Sequence, residues 1–229
     1  MKIAIQQSDY IPWKGYFDII RAVDEFIIYD DVQYTRRDWR NRNRIKTPQG
    51  LLWLTIPVKV KGRYLQLINE TEVTDSKWAV KHWKTICLNY SGTKYFEEYE
   101  PLFREAYHAA AEMKMLTEIN LYFLKLINNI LGINTRLTRS EDYNATGKGS
   151  DRILSLCLKA GARDHLTGPS AMSYIDKSAF ERSGIKISVA DYSGYQEYPQ
   201  PWPPFSHNVS IIDLIFCKGR DAISFMKRL

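Results

Sequence analysis

The first thirty residues show two short apolar runs on either side of a helical pattern. Lys2 to Gln7 is apolar and ends in polar groups, Gly15 to Val23 carries apolar residues at helical spacing, and Glu25 to Tyr29 is apolar again. Continuous apolar runs are typical of buried parallel strands, and a right-handed crossover places the carboxyl ends of both strands at one edge. The pattern predicts strand, helix and strand.

The middle of the chain changes from a strand pattern to a helical pattern. Leu51 to Val60 and Arg63 to Ile68, separated by Lys61-Gly62, predict a β-hairpin that follows an arginine-rich loop. Three helices are then predicted, each with an apolar stripe and with breaks at glycine or serine: Trp78 to Leu88, Tyr95 to Ala111 and Leu116 to Leu131.

Alternating strand and helix patterns return in the last hundred residues. Strands are predicted at Thr135 to Thr138, His165 to Thr167 and Ile185 to Val189, and helices at Ser150 to Ala160, Lys177 to Arg182, Ile211 to Phe216 and Arg220 to Met226. We therefore predict an α/β fold with a mainly parallel sheet, an inserted helical subdomain and a β-hairpin. One domain is expected over residues 1–229, with 1–76 and 134–229 as the α/β part and 77–133 as the helical insertion.

Composition adds a concentrated positive charge to this picture. The chain has 229 residues, 45% hydrophobic and 25% charged, which is ordinary for a globular protein. Lysine and arginine number 32 against 26 acidic residues, for a net charge of +6, which favours a phosphate-bearing partner. The positive excess lies in one short stretch that contains Arg36, Arg37, Arg40, Arg42, Arg44 and Lys46.

Cysteine usage and hydropathy predict the compartment. Cys87, Cys157 and Cys217 are far apart and odd in number, a pattern that disfavours a disulfide framework or a zinc site. The first apolar run is too short for a signal peptide or a bilayer span, and the mean hydropathy is −0.37. We expect a cytoplasmic protein with no membrane insertion. The sequence does not predict an oligomeric state.

The first candidate site is the polar end of the first strand, which leads through Pro12 into a helix. Backbone N–H groups at a helix start could accept a phosphate or carboxylate, although Pro12 removes one donor and no Walker-type or GxGxxG pattern is present. The alternative is a loop whose aromatic residues cap the sheet. The candidate residues are Gln6, Gln7, Asp9, Tyr10, Trp13 and Lys14.

The second candidate site begins with the paired carboxylates after the second strand. Acidic groups beside arginines could hold a divalent ion together with a phosphate. Asn41 and Asn43 share a direction if their segment is extended. Two alternatives stay open: a solvated basic face, and a nucleic-acid surface in which arginines alternate with aromatic residues. The candidate residues are Asp30, Asp31, Gln33, Arg37, Asn41, Arg42, Asn43, Arg44 and Lys46.

Three further features are weaker. Gly168 and Ser170 follow a strand and leave room for a ligand near the backbone, which tight packing explains equally well. Ser150 is a predicted helix N-cap, and Ser210 with Asp213 has spacing like a capping box. No GxSxG, HExxH or kinase motif is present, so any catalytic machinery is expected to use carboxylates, amides, tyrosines and arginines.

Several of these segments resemble the WbqC-like family over almost the whole chain. In that family the first motif usually reads His-Gln-Pro-Asn-Tyr, whereas this chain has Gln6-Gln7-Ser8-Asp9-Tyr10, so a histidine base is not expected at that position. The resembling segments are Gln7–Phe17, Asp30–Tyr34, Asn41–Gly50, Leu54–Val58, Thr167–Ala171, Tyr174 and Ser210–Phe216.

The resemblance implies an enzyme of surface-polysaccharide (O-antigen type) biosynthesis. The expected reaction is N-acyl or aminoacyl transfer onto a nucleotide-linked amino sugar, with ATP, an acyl donor and a divalent metal as candidate cofactors. The expected catalytic residues are Gln7, Asp9, Asp30 and Asp31, and Arg42, Arg44 and Lys46 are expected to bind phosphate. The alternatives are an adenylate-forming or nucleotidyl-transferring enzyme and a non-catalytic nucleic-acid-binding module.

Overall fold

The computed structural model describes residues 1–229 and contains a five-stranded parallel sheet. The strands in chain order are β1 (Lys2–Gln6), β2 (Glu25–Ile28), β3 (Arg42–Thr47), β4 (Gly50–Thr55), β5 (Arg136–Arg139), β6 (Asp164–Thr167) and β7 (Lys186–Val189). The sheet has the order β5-β2-β1-β6-β7, with Ala4 opposite Phe26 and Ile3 opposite His165 in the central pairs. β3 and β4 form a separate antiparallel hairpin.

Seven α-helices accompany the two sheets. They are α1 (Lys14–Arg21), α2 (Lys77–Tyr90), α3 (Phe96–Ala111), α4 (Leu116–Leu131), α5 (Gly149–Lys159), α6 (Lys177–Arg182) and α7 (Ile211–Lys218). Short 3₁₀ segments lie at Ile68–Glu70, Ser140–Tyr143, Pro169–Ser173 and Gly219–Phe225, so the last predicted helix is a 3₁₀ segment. The predicted α/β class, the mainly parallel sheet, the presence of a hairpin and the other predicted helices are confirmed. No helix combines the length and apolar character that a bilayer crossing requires.

The central strands are apolar throughout because both faces of the sheet are covered. Ala4, Phe26 and Ile28 belong to a core cluster of 44 buried residues that also includes α1, the helices α2 to α4 and α7. Ile3, Ile5 and Ile27 point the other way into a cluster of 11 buried residues with α5 and α6. Successive side chains alternate between the two clusters, as the period of a strand requires.

The hairpin is formed by different strands from those predicted. The arginine-rich segment is itself the first strand, and Thr47 pairs with Gly50 across the turn. The second strand, Gly50–Thr55, covers the first half of the predicted strand at Leu51 to Val60, whereas Arg63 to Ile68 is no part of the hairpin, so the predicted pairing was wrong. Gly50 has φ of 105°, which a side chain would disfavour. Five of the six residues of β3 are polar, and this masked its strand character, because a half-buried strand is recognised by apolar residues at every second position.

Two predicted helix caps have different outcomes. α5 begins at Gly149, and the Ser150 hydroxyl instead accepts a hydrogen bond of 2.9 Å from the Asp176 N–H, so Ser150 is not the N-cap. Ser210 is the N-cap of α7, where its hydroxyl accepts from the Ile212 N–H at 3.3 Å. The capping-box prediction was wrong because the Asp213 carboxylate points into the core and accepts from two tyrosine hydroxyls.

Candidate functional site

A crevice of about 630 Å³ lies at the carboxyl edge of the parallel sheet. Gln6 and Gln7 reach it from the end of β1, and Gly168 and Ser170 reach it from the loop after β6. Ligands of open α/β folds bind at this edge because the connecting loops diverge there. The sequence-predicted residues Gln6, Gln7, Asp9, Gly168 and Ser170 are thus brought together in one cavity. Aromatic side chains complete its wall: Tyr16, Tyr29, Tyr174 and Tyr192.

Asp9 is the one acidic residue that lines this crevice. Its Oδ1 lies 2.6 Å from Nη1 of Arg40, and the two side chains are only 14% and 12% exposed. The contact is an ion pair without an aligned hydrogen bond to Oδ1. Burial raises the pKa of Asp9 to about 6, and the nearby positive charge of Arg40 opposes this only in part. The carboxyl group can therefore gain and lose a proton near neutral pH.

A second, smaller cavity of about 170 Å³ adjoins Asp9. Its wall is formed by Pro12, Trp13, Trp39 and Asn43, together with Asn208 from the segment before α7. Asp9 lines both cavities, so its carboxylate lies where a group in the crevice and a group in the small pocket could approach each other. This position is suited to proton transfer during a reaction between two bound molecules.

Asp30 lies beneath the crevice and holds the residue before Asp9. Its carboxylate accepts hydrogen bonds from the Ser8 N–H at 2.8 Å, the Ser8 hydroxyl at 2.6 Å and the Thr117 hydroxyl at 2.5 Å. The residue is 4% exposed and lines neither cavity. Asp30 was predicted to be catalytic, but these contacts make it a positioning residue, because all its strong acceptor sites face protein donors.

Asn120 of α4 connects the same turn to Arg40. Its Nδ2 donates to the Ser8 hydroxyl at 3.0 Å and to the Arg40 carbonyl at 2.9 Å. Asn120 is fully buried, so these bonds are shielded from water. The two partners of the Asp9–Arg40 ion pair are therefore held by one side chain of the helical segment.

The turn from Asp9 to Pro12 has a strained backbone that Asn43 supports. Ile11 has φ of 39°, a left-handed conformation that β-branched residues rarely adopt. Nδ2 of Asn43 donates to the Tyr10 carbonyl at 3.1 Å and to the Ile11 carbonyl at 3.0 Å. Such strain persists only where surrounding contacts fix it, and it is concentrated at functional sites. Asn43 was predicted to bind substrate; it lines the small pocket, and its amide also holds this turn.

Tyr10 anchors the turn in the core and does not contact either cavity. Its side chain is 0% exposed, and its hydroxyl is hydrogen-bonded to Nδ1 of His82 at 3.0 Å and to the hydroxyl of Tyr107 at 2.8 Å. Its N–H donates to the Trp39 carbonyl at 3.1 Å. The predicted binding role of Tyr10 does not fit this placement, because no ligand can reach a ring enclosed by α2, α3 and α4.

Asp31 points away from Asp30 and is neutralised by other partners. Its carboxylate accepts from the Ser140 hydroxyl at 2.6 Å and forms a salt bridge with Arg152 of α5. The two aspartates thus stabilise different elements. No group of three or more histidine, cysteine, aspartate or glutamate side chains is arranged to hold a metal ion, so the predicted carboxylate metal site does not fit these residues. Gln33 is exposed and donates to the Tyr64 carbonyl at 2.9 Å, outside both cavities.

The predicted phosphate-binding residues of the hairpin divide into two faces. Arg42 and Arg44 lie on the outer face, where their guanidinium groups stack against tryptophan rings. On the inner face, Asn41 is buried and donates to the Ile56 carbonyl at 2.8 Å. Lys46 follows Arg42 and Arg44 on the same face of β3, but it is 2% exposed there and donates to the Pro204 carbonyl, so a phosphate cannot reach its ammonium group. Arg37 is exposed and its carbonyl accepts from Arg42.

Lys14 and Trp13 follow the turn but differ in access. Lys14 is buried, with Nζ 4.4 Å from the centre of the Tyr195 ring, and burial lowers its pKa to about 8. It lines neither cavity, so its predicted ligand role does not fit. Trp13 lines the small pocket and packs edge-on against Tyr192, with ring centres 5.0 Å apart. Trp13 also covers Gly15, where an added Cβ would lie 2.3 Å from the indole.

Sequence reasoning missed the residues that position Asp9. The sequence places Arg40 in the basic stretch and Thr117 and Asn120 in a predicted helix, and it assigned none of the three to the site. Their spacing could have indicated a role for Thr117 and Asn120. They lie three positions apart within an apolar helix, so both fall on one face. A polar pair on a buried helix face needs partners, which here are Asp30 and Ser8.

The chain matches one protein family and is similar to a protein from Mycobacterium tuberculosis. The sequence model of the WbqC-like protein family matches residues 7–225. The uncharacterised protein Rv1507c of Mycobacterium tuberculosis (strain ATCC 25618 / H37Rv) is 46% identical over 230 residues, which cover 99% of this chain and 97% of that protein. No solved structure matches.

Proposed function

This chain belongs to the WbqC-like protein family, and from that premise we propose that it transfers an acyl or aminoacyl group to the amine of a nucleotide-linked sugar, in the biosynthesis of a surface polysaccharide of the O-antigen type. The observation that most supports this proposal is the position of Asp9. Its carboxylate lies between two cavities and its pKa is raised to about 6. We place the protein in the cytoplasm, where nucleotide-linked sugars are available.

The proposed reaction needs a base because an amino sugar is protonated at neutral pH. Asp9 accepts a proton from the sugar ammonium group, and the freed nitrogen lone pair forms a bond to the acyl carbonyl carbon. The bond from that carbon to the leaving group then breaks, the leaving group departs with the electron pair, and it takes up the second proton that the nitrogen loses as the amide forms. A positioned general base typically contributes about 10² to 10⁴-fold to the rate.

The neighbours of Asp9 have supporting roles in this proposal. Arg40 keeps the carboxylate oriented between the cavities. Gln6 and Gln7 present amide groups along the crevice, and such groups can bind the hydroxyls and carbonyls of substrates. Gly168 lines the crevice without a side chain, which leaves its backbone open to a substrate.

The test is a product search with the wild-type chain and Asp9→Asn. Nucleotide-linked amino sugars are incubated with acyl thioesters, or with amino acids and ATP, and the sugar product is examined by mass spectrometry for an added acyl mass. We expect product with the wild type and a loss of at least about 10²-fold in Asp9→Asn. The kcat/KM of the wild type should fall below about pH 6, because a protonated Asp9 cannot accept a proton.

The control is Asp24→Asn, which alters an exposed carboxylate at the opposite edge of the sheet that accepts from the Lys2 N–H. It should retain full turnover. Equal turnover in Asp9→Asn and the wild type would remove Asp9 from the mechanism. ATP–pyrophosphate exchange without acylated sugar would favour the adenylate-forming alternative.

A further inference from the structure

Four side chains form an exposed Arg–Trp face on the outer side of the hairpin. This face consists of Trp39, Arg42, Arg44 and Trp53. The guanidinium carbon of Arg42 lies 4.2 Å from the centre of the Trp53 ring, and that of Arg44 lies 5.1 Å from Trp53 and 5.3 Å from Trp39. Trp39 and Trp53 are 38% and 39% exposed. Strand pairing fixes the arrangement, because Arg44 is directly opposite Trp53.

The positive charge of this face has no acidic partner within the protein. Arg42 and Arg44 take part in no salt bridge, and their buried Nε atoms have no hydrogen-bond partner, although Arg42 donates through Nη2 to the Arg37 carbonyl. Burial and the charge of Arg42 lower the pKa of Arg44. Two adjacent guanidinium groups repel each other, and a bound anion would relieve that repulsion.

The nearby carboxylate of Asp38 is engaged elsewhere. It accepts from the Thr35 hydroxyl at 2.7 Å and from the Trp39 N–H at 2.7 Å. Its cationic neighbour is Arg40, with Nε at 3.8 Å. Asp38 therefore stabilises the loop that carries Trp39, and although its charge lies near Arg42, it forms a salt bridge with neither Arg42 nor Arg44.

The Arg–Trp face is continuous with the small pocket beside Asp9. Trp39 belongs to the face and also lines that pocket. Backbone hydrogen bonds join the walls: the Tyr10 N–H donates to the Trp39 carbonyl at 3.1 Å, and the Ser210 N–H donates to the Arg44 carbonyl at 2.8 Å. A ligand bound across the face can therefore extend past Trp39 towards Asp9.

We propose that the Arg–Trp face binds the nucleoside diphosphate part of the sugar nucleotide. Guanidinium groups of Arg42 and Arg44 bind the phosphate oxygens, the base stacks on the tryptophan rings, and the sugar enters the small pocket with its amine towards Asp9. The acyl donor is then left to occupy the larger crevice. This inference rests on the proposed function for the identity of the sugar, but the nucleotide site itself rests on the geometry of the face.

The test measures binding without turnover. Wild-type protein is titrated with UDP, dTDP, uridine and inorganic pyrophosphate by isothermal calorimetry, with tryptophan fluorescence as a second readout. We expect saturable binding of the diphosphates with quenching of Trp39 and Trp53. Binding should weaken by about ten-fold or more in Arg42→Gln and in Arg44→Gln, and a similar loss should follow Trp53→Ala.

Arg36→Gln is the matched control. Arg36 also stacks on an aromatic ring, with its guanidinium carbon 5.0 Å from the centre of Tyr64, but it lies outside the Arg–Trp face. Its substitution should leave nucleotide affinity unchanged. Arg44→Lys provides a second variant that keeps the charge and loses the planar group, and it should bind with intermediate affinity. Melting temperatures identify any variant that fails to fold.

Two results would overturn the inference. One is diphosphate affinity that is absent, or that is the same in the wild type and both glutamine variants. The other is tighter binding of a single-stranded oligo-dT than of either diphosphate, with a steep loss in added salt, which would identify a nucleic-acid surface. Asp9→Asn should bind diphosphates like the wild type, so failure of the proposed reaction and failure of this site give different results.

Discussion

The turn after β1 and the outer face of the hairpin both place charged groups beside tryptophans, yet they differ in how those groups are satisfied. In the turn, the Ser8 and Tyr10 backbones and the Ser8 hydroxyl are held by buried partners, above all Asp30 and Asn43. On the hairpin, Arg42 and Arg44 stack on exposed rings without acidic partners. The first arrangement fixes a geometry, whereas the second leaves charge available to a ligand.

This difference predicts where mutations affect stability and where they affect function. A buried donor that loses its acceptor costs about 1 to 3 kcal/mol, because water cannot replace the partner. An exposed charge without a partner contributes little to the free energy of unfolding, and its removal is tolerated. Substitutions in the turn should therefore lower the free energy of unfolding. Substitutions on the hairpin face should instead weaken ligand binding.

The largest expected effect on stability is that of Asp30→Ala. This change removes the acceptor of three hydrogen bonds from Ser8 and Thr117, so we expect a loss of about 4 kcal/mol in the free energy of unfolding. The melting temperature should fall by about 10 °C. Urea unfolding followed by circular dichroism measures the difference.

Asp31→Ala is the matched comparison for that change. Asp31 is partly exposed and pairs with Arg152, which is 25% exposed and can be solvated when unpaired, so the loss should not exceed about 2 kcal/mol. Equal losses at both positions would mean that Asp30 does not hold the turn in the way its contacts indicate.

A smaller loss of stability is expected for Asn43→Ala. The change removes two hydrogen bonds to carbonyl groups of the strained turn at Ile11, and we expect a cost of about 2 kcal/mol. Turnover should fall by more than the loss of folded protein explains, because relaxation of Ile11 moves Asp9. Calorimetry and the acylation assay measure the two effects, and a stable variant with full turnover would show that the strain has no role in positioning.

The smallest effect on stability is expected for Arg44→Gln. The change relieves repulsion with Arg42 but removes two exposed cation–π contacts, so the free energy of unfolding should change by no more than about 0.5 kcal/mol. Urea unfolding at low and high salt is the measurement. A loss above about 2 kcal/mol would show that Arg44 stabilises the fold, and the hairpin face would then not differ from the turn in this respect.

The sheet and much of the crevice could be predicted from sequence because they depend on local patterns. The apolar runs of β1 and β2 are continuous, and the observed bounds of α4 equal the predicted range of Leu116 to Leu131. Parallel strands bring their carboxyl ends to one edge whatever the loops contain. This rule alone predicted that Gln6, Gln7, Asp30 and Asp31 would converge at the carboxyl edge; Gln6 and Gln7 line the crevice there, whereas Asp30 and Asp31 do not.

The roles of neighbouring polar residues could not be predicted because they depend on distant segments. Asp30 and Asp31 are adjacent, but Thr117 of α4 fixes the first and Arg152 of α5 fixes the second. Asn41 and Asn43 share a direction, as alternate residues of an extended segment do, but their burial depends on packing against distant segments. Contacts between residues so far apart in sequence carry no local periodicity.

The pKa of Asp9 tests the role of this carboxyl group as the base most directly, since its measurement requires no substrate. Aspartate labelled with ¹³C at the side-chain carboxyl is followed by NMR across a pH series, and the Asp9 signal is the one missing in Asp9→Asn. Burial between the two cavities predicts a pKa near 6 for this carboxyl group. Titration at or below 3.8, the ordinary value, would show that the ion pair with Arg40 outweighs burial and would contradict the role of Asp9 as the base.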